Sequence, residues 1–273
     1  MIGSARMSAM DRLFRVAQNG LTSFAVAREG SGELFAATPR DGDVFSGYSV
    51  GDRIAGGLNA VSLLAPVRPS KIVCVGLNYK DHAAEVKKAL PAEPLLFIKP
   101  STAVLNPGAD IMLPPGVGRV DYEGELAIVI GRRAHRVPRS RAWDYVFGLT
   151  CLNDVTARDL QNKESQYTRC KGFDTFAPIG PCIAVGTAAD ARRVETRVNG
   201  ETRQASSTAQ LIFGIEQLVE FITFVMTLEP GDVISTGTPS GIGPLSHGDM
   251  VTVAVEGVGE LTNPVRAEEP RVG

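Results

Sequence analysis

Short apolar runs separated by turn residues dominate this chain and predict a protein built mainly from strands. Runs of this kind lie at residues 72–75, 126–130, 146–152, 233–236 and 250–255. Asn199 and Gly200 separate two further strand-like runs, and this pair is typical of a two-residue hairpin turn. Residues 215–226 instead repeat apolar side chains at helical spacing, which predicts one amphipathic helix packed on the core.

The first quarter of the chain is predicted to form a separate small module. Short strands are predicted around residues 24–27 and 33–36, with a hairpin turn at residues 30–32. Proline and serine residues then break the strand pattern before the next apolar run, at residues 72–75. We therefore predict a small β-rich N-terminal domain over residues 1–67 and a larger domain over residues 68–273.

Composition and charge narrow the class of function. The net charge is only −2 and no cluster of lysine and arginine with interleaved aromatic residues occurs, so nucleic-acid binding is not expected. The most apolar long stretch, residues 211–228, contains charged residues, and the first residues lack the apolar segment of an export signal. The spacing of the four cysteines fits neither a zinc site nor a disulfide framework. These features predict a cytoplasmic protein with reduced thiols and a small-molecule partner.

Two glutamates one residue apart are the strongest chemical signal. Glu123 and Glu125 begin an apolar strand, and side chains alternate faces along a strand, so both carboxylates are expected on one side of the sheet. Carboxylates so close together repel each other unless a cation lies between them or both face water. The sequence therefore leaves two interpretations open, a metal site or a charged strand edge exposed to solvent.

Asp154 favours the metal interpretation. It follows a second strand-like run and precedes a short predicted helix at residues 155–161, where it could also be only a helix N-cap. Together, Glu123, Glu125 and Asp154 would supply three oxygen ligands of the kind that suits Mg²⁺ or Mn²⁺.

A histidine and a glutamate form a second candidate pair. Asn78 reads as the cap of a short helix on which His82 and Glu85 stand at positions i and i+3, so they share one face. The carboxylate can then orient the imidazole for proton transfer. The alternative is a solvated histidine beside a glutamate on a surface helix.

Three further segments of the sequence contain side chains capable of chemistry. The glycine-rich segment at residues 237–243 lacks the Lys-Ser/Thr of a phosphate-binding loop, so it is interpreted as a tight turn whose amides and Thr238 hydroxyl can approach a carboxylate. Ser49 lies in a Gly-x-Ser-x-Gly match, but the strand and helix that a serine hydrolase needs are missing around it. Lys171, in a turn-rich loop predicted at residues 170–181, is either a surface residue or a partner for a carboxylate.

Five segments in order along residues 71–265 resemble the fumarylacetoacetate hydrolase family. They are residues 75–85, 121–126, 153–161, 171–176 and 236–241. The resemblance implies an α+β, mainly β fold: a mixed β-sandwich roll with a small N-terminal domain, assembled as a homodimer. It also implies that Glu123, Glu125 and Asp154 hold Mg²⁺ or Mn²⁺. Catalytic roles fall on His82, Glu85 and Lys171, and substrate contacts fall on Arg158, Gln161, Thr238 and Gly237.

The reaction expected from this resemblance is hydrolysis of a carbon–carbon bond in an acylpyruvate-like 2,4-dioxo acid such as fumarylpyruvate. His82 would activate water while Lys171 and Gln161 hold the substrate. The same metal-enolate chemistry also suits an oxaloacetate decarboxylase or tautomerase, or a 2-hydroxyhepta-2,4-diene-1,7-dioate isomerase. A rival of another class is a non-catalytic protein in which the three acidic residues only bind a structural metal.

Overall fold

The computed structural model describes residues 11–28, 32–186 and 189–269. Strands hold 47% of the residues and helices 17%, which confirms the prediction of a mainly β protein. Part of the hairpin turn predicted at residues 30–32 lies outside the described residues, although the strands on either side of it pair as predicted.

The described strands and helices are numbered here in chain order. The strands are β1 (Asp11–Gln18), β2 (Leu21–Arg28), β3 (Phe35–Arg40), β4 (Asp43–Arg53), β5 (Ser62–Leu64), β6 (Lys71–Gly76), β7 (Leu95–Pro100), β8 (Val104–Leu105), β9 (Ile111–Leu113), β10 (Val120–Tyr122), β11 (Gly124–Ile130), β12 (Val146–Asn153), β13 (Thr156–Ala157), β14 (Ala177–Val185), β15 (Arg193–Val198), β16 (Glu201–Ser207), β17 (Val233–Ser235), β18 (Gly243–Pro244), β19 (Met250–Val255) and β20 (Gly259–Ala267). The α-helices are α1 (Lys80–Glu85), α2 (Arg158–Lys163), α3 (Thr168–Lys171) and α4 (Ile215–Val225).

The largest sheet has the strand order β4-β3-β2-β1-β14-β12-β11-β17-β6-β7. Most neighbours are antiparallel, and β17 and β6 form a parallel pair. The N-terminal strands continue this sheet, because β1 pairs with both β2 and β14. The domain boundary at residue 67 and the sandwich-roll arrangement stay predictions.

There are two smaller sheets among the described residues, and the larger of them packs against the central strands β11, β12 and β14 of the large sheet. A five-stranded sheet has the order β16-β15-β19-β20-β9, and a three-stranded sheet joins β13, β10 and β18. The main hydrophobic cluster contains Leu126 and Ile128 of β11, Val253 of β19, Leu261 of β20 and Ile222 of α4. The predicted amphipathic helix therefore contributes to the core. The predicted hairpin is also confirmed, with both turn residues at positive φ.

Two local predictions were wrong. The segment from residue 177 to Pro181 was expected to be part of a turn-rich loop, but it belongs to β14, which is buried and pairs with β12. The pairing shifts register between Leu149 and Cys151, an irregularity of the kind that accommodates a proline in a strand. Helix α1 is preceded by Tyr79 as its cap, and Asn78 is not the cap, because its side chain is bonded elsewhere.

Candidate active site

Three carboxylates meet at the start of β11 and the end of β12. Gly124 of β11 lies opposite Asn153 of β12, so the antiparallel pairing brings the residues on either side together. The Asp154 amide donates a hydrogen bond of 2.8 Å to the Glu123 carbonyl oxygen. One oxygen each from Glu123, Glu125 and Asp154 lies within 4.8 Å of the others, and all three residues are buried. Burial of the two glutamates excludes the exposed strand edge, and α2 has Ala157 as its N-cap, so Asp154 is not a helix cap.

Three cationic side chains surround this triad. The Lys171 ammonium lies 2.8 Å from Glu123 Oε2 and 2.5 Å from Asp154 Oδ2. The Lys99 ammonium donates a 2.6 Å bond to Asp154 Oδ1, and the Arg158 guanidinium is paired with Glu123 Oε1. Lys171 is buried at the end of α3, so the surface interpretation of this residue is wrong.

The surroundings separate the pKa values of the two glutamates. Burial alone would raise the pKa of Glu123, but Lys171 and Arg158 outweigh it and lower that pKa to about 2. Burial and the nearby charge of Asp154 raise the pKa of Glu125 to about 8. Burial disfavours the charged form of Lys171, yet Asp154 and Glu123 raise its pKa overall, so this amine is an ammonium.

Glu125 makes the triad suited to a divalent cation. Its Oε2 atom accepts hydrogen bonds from two neutral groups, the Ser235 hydroxyl at 2.5 Å and the Gly237 amide at 2.8 Å. Among the described residues it has no ion pair with a basic side chain. A buried carboxylate of this kind either holds a proton or binds a cation. The all-oxygen donor set of Glu123, Glu125 and Asp154 fits Mg²⁺ or Mn²⁺.

His82 and Glu85 form a hydrogen-bonded pair at the side of the triad. The distance from His82 Nδ1 to Glu85 Oε2 is 2.8 Å, and the second oxygen of Glu85 accepts a 3.0 Å bond from the Gly241 amide. The segment before the helix is fixed because Asn78 donates to the Thr236 carbonyl at 2.8 Å. His82 is only 9% exposed, so it is not a solvated surface histidine, whereas its partner Glu85 is exposed.

The polar side chains on the remaining walls are linked to one another. The Arg158 guanidinium contacts Asp121 at 2.8 Å and also donates to the Gln161 side-chain carbonyl. The Thr238 hydroxyl donates to the Gly124 carbonyl at 3.0 Å and accepts from Gln204 at 2.8 Å. The Gly237 and Gly241 amides of the glycine-rich turn approach the carboxylates of Glu125 and Glu85, as the sequence indicated, whereas the Thr238 hydroxyl binds a backbone carbonyl.

One cavity of about 520 Å³ is bordered by most of these groups. The predicted site residues that line it are His82, Glu123, Glu125, Asp154, Arg158, Gln161, Lys171 and Thr238. Glu85 and Gly237 do not line it but bond to the lining residues His82 and Glu125. Ser49 lies within strand β4, where it pairs with Thr38, so the nucleophile-elbow geometry is absent from it. The catalytic and substrate-binding roles of the lining residues stay predictions.

Sequence reasoning missed Lys99, Ser235 and Gln204. Lys99 is fully buried on β7, and the signal in the sequence was a single lysine at the end of the otherwise apolar run of residues 95–99. A lone charge in such a run is expensive to bury without a partner. Ser235 and Gln204 carry no comparable signal, because their partners are distant in sequence.

In the described part of the chain, no helix has the length and apolarity that a membrane crossing requires. The family model described as fumarylacetoacetate (FAA) hydrolase C-terminal matches residues 71–266. An uncharacterized protein of Archaeoglobus fulgidus is 53% identical over 237 residues, which covers 86% of this chain and 90% of the relative.

Two further relatives carry functional names. Oxaloacetate tautomerase YisK of Bacillus subtilis is 41% identical over 223 residues, covering 76% of this chain and 74% of the relative. The crystal structure of 2-hydroxyhepta-2,4-diene-1,7-dioate isomerase from Mycobacterium marinum matches with a TM-score of 0.86 at 40% identity, covering 95% of this chain and 99% of that chain.

Proposed function

This chain belongs to the fumarylacetoacetate hydrolase family, and from that premise we propose that it is a metal-dependent enzyme that interconverts enol and keto forms of a small 2-oxo dicarboxylic acid. An oxaloacetate tautomerase or a 2-hydroxyhepta-2,4-diene-1,7-dioate isomerase would fit this description. The named relatives support this class over carbon–carbon bond hydrolysis, because one is a tautomerase and the other an isomerase.

The observation that carries the proposal is a buried carboxylate triad and a His–Glu pair on one cavity. A divalent cation held by Glu123, Glu125 and Asp154 would supply Lewis-acid polarisation of a substrate carbonyl oxygen. The protein itself would supply the proton transfer and the hydrogen bonds that hold the dicarboxylate.

His82 is proposed as the group that moves the proton. The bond between its Nδ1 and Glu85 assigns the ring hydrogen to Nδ1 and leaves the lone pair on Nε2. In the enol-to-keto direction, Nε2 accepts the hydroxyl proton of the enol and returns a proton to a carbon of the same conjugated system, which is C3 in enol oxaloacetate and C3 or C5 in the heptadienedioate. No proton is gained or lost overall. Glu85, held by Gly241, keeps the imidazole in this orientation.

Basic and amide groups would bind the carboxylates of the substrate. Lys171 is an ammonium that lines the cavity, and it would donate hydrogen bonds to an anionic substrate. The side-chain carbonyl of Gln161 is occupied by Arg158, so its amide nitrogen is left as a donor. These groups favour an anionic substrate over a neutral one.

The test is an absorbance assay of enol oxaloacetate and of 2-hydroxyhepta-2,4-diene-1,7-dioate with added Mg²⁺ or Mn²⁺. We expect chelation by EDTA to abolish activity and Glu123→Gln to lose metal binding. His82→Ala should slow turnover by about 10²- to 10⁴-fold, the usual contribution of a general base.

The matched control is His135→Ala, because His135 is an exposed histidine that contacts Thr227 outside the cavity. This variant should retain wild-type turnover. Equal activity of His82→Ala and the wild type on both substrates would refute the role proposed for His82.

Hydrolysis of an acylpyruvate such as fumarylpyruvate is the second candidate. It is favoured by the same His82–Glu85 pair, since an oriented imidazole next to an open cavity can also activate water. Release of pyruvate from an acylpyruvate, measured with the same variants, would distinguish hydrolysis from tautomerisation. The homodimer implied by the resemblance is part of the proposal and is tested by sedimentation.

A further inference from the structure

A second cavity, of about 660 Å³, lies between the N-terminal strands and the end of β7. Its polar lining residues are Arg15, Thr22, Arg68, Ser101 and Asn106. None of these residues borders the active-site cavity, so the two cavities have separate walls. The second cavity is lined by two arginines and, within the described residues, by no carboxylate.

Arg15 is the unusual group in this cavity. It is only 9% exposed, and its one described hydrogen bond runs from Nη1 to the Ala65 carbonyl at 3.3 Å. Burial and the charge of Arg68 both lower the pKa of Arg15, which reflects two cations facing the same space. Buried arginines are normally paired with anions, because an unpaired buried charge is costly.

The wall that carries the second arginine is held in place. The Ala65 amide donates a 2.8 Å bond to Asn106 Oδ1, while the Ala65 carbonyl accepts from Arg15. Arg68 follows three residues later in the same segment, before β6 begins. With its side-chain carbonyl engaged, Asn106 keeps its amide nitrogen as a further donor.

Within the described residues, no carboxylate neutralises the pair. Neither arginine has an ion pair with an acidic residue in the described ranges 11–28, 32–186 and 189–269. Residues 1–10, which precede β1, contain no aspartate or glutamate.

We propose that this second cavity binds a small molecule through an oxyanion, a phosphate or a carboxylate, held between Arg15 and Arg68. Guanidinium groups match both oxyanions in a two-pronged geometry. The volume is in the range of small-molecule sites and exceeds what a single ion needs. This site would be additional to the catalytic one.

Calorimetric titration of the full chain with inorganic phosphate, and separately with succinate, tests the proposal. The wild type should bind at least one of the two probes, and the preferred probe identifies the class of oxyanion. Arg68→Met should weaken that binding about tenfold or more, the value expected for loss of a charged hydrogen bond. Arg68 is exposed, so this variant should fold even if Arg15→Met does not.

Arg133→Met is the matched control, because Arg133 is an exposed arginine in a surface pair with Glu229. It should bind the probe as the wild type does, and Arg68→Met should keep wild-type turnover of the enol substrates. Equal binding by Arg68→Met and the wild type would overturn the proposal, as would no binding of either probe. A change from dimer to monomer in Arg68→Met would also overturn it, because the partner of Arg68 would then be a second copy of the chain.

Discussion

The charge of Glu125 depends more on a bound cation than the charge of Glu123 does. Its pKa is raised to about 8 by burial and by the charge of Asp154, whereas that of Glu123 is lowered to about 2. Below pH 8, a metal ion must therefore displace a proton from Glu125 but not from Glu123. The apparent affinity for Mg²⁺ should rise about tenfold per pH unit up to pH 8 and then level off.

Calorimetric titration with Mg²⁺ at pH 6, 7, 8 and 9 checks this expectation. Repeating each titration in two buffers of different ionisation enthalpy counts the protons released, which should be close to one at pH 6 and close to zero at pH 9. Affinity that does not change over this range would contradict the role of Glu125 as the protonated ligand.

Lys99 is the buried cation that the sequence pattern did not reveal. Its only described partners are Asp154 Oδ1 and the Val155 carbonyl, at 2.6 and 3.0 Å. Lys99→Met keeps most of the volume but leaves Asp154 with one cationic partner instead of two. Breaking a buried ion pair in this way typically destabilises a protein by about 3–5 kcal/mol. Urea unfolding measures the loss of stability. Lys163→Met is the control, because Lys163 is an exposed lysine on α2. Equal unfolding midpoints for the two variants would show that Lys99 has no such role.

At the scale of elements, the β15–β16 hairpin holds the glutamate pair from outside the large sheet. Gln204 of β16 accepts a 3.0 Å bond from the Gly124 amide and donates to Thr238 and to the Pro239 carbonyl, both at 2.8 Å. The contact is tight, because a Cβ atom added at Gly124 would lie 1.9 Å from Thr196 Oγ1. Only glycine fits between Glu123 and Glu125.

Gln204→Ala should therefore disturb the site without touching a ligand residue. It leaves the Gly124 amide buried and unpaired, which we expect to cost about 1–3 kcal/mol of stability. The Mg²⁺ affinity should fall as well, since Gly124 connects two of the three carboxylates. Unfolding and calorimetry measure both effects, with the exposed Gln210→Ala as control. Wild-type Mg²⁺ affinity in Gln204→Ala would mean that the hairpin does not position the ligands.

The elements that local pattern predicted are those whose signal is local. The Asn199-Gly200 hairpin and helix α4 were both correct, because turn chemistry and helical periodicity lie within one short segment. Strand β14 was missed, because its buried pairing with β12 overrides a composition rich in proline and glycine.

At the scale of the whole molecule, the site is assembled from segments far apart in the chain. The carboxylate triad was predictable, since its three residues lie at the ends of recognisable strands. The contacts that fix it were not, because Lys99 lies 55 residues from Asp154, and Ser235 lies 110 residues from Glu125. Such partners follow from the strand order of the large sheet, which no single segment specifies.

One buried aspartate ties this sheet order to the acid stability of the whole molecule. Asp232 precedes β17 and accepts hydrogen bonds from two residues at the start of β6, about 160 residues away in the chain. The donors are the Ser70 hydroxyl at 2.7 Å and the Lys71 ammonium at 2.5 Å. Burial would raise the pKa of Asp232, but the Glu229 amide, Lys71 and Ser70 outweigh it, so the pKa is lowered. A carboxyl with a lowered pKa stabilises the folded state above its ordinary pKa of about 4, and this contribution disappears as the pH falls through the folded-state value.

Asp232→Asn should therefore lower the free energy of unfolding by about 3 kcal/mol near neutral pH, where the buried ion pair is intact in the wild type. The difference in free energy of unfolding between wild type and variant should be the same at pH 7 and pH 5 and smaller at pH 3. At pH 3, protonation of Asp232 removes the negative charge from the wild type, which the substitution has already removed from the variant. Urea unfolding at the three pH values measures it. Asp144→Asn, at an exposed aspartate paired with Arg141, should change stability far less at each pH. A difference that grows on acidification would mean that the parallel β6–β17 junction does not depend on the charge of Asp232.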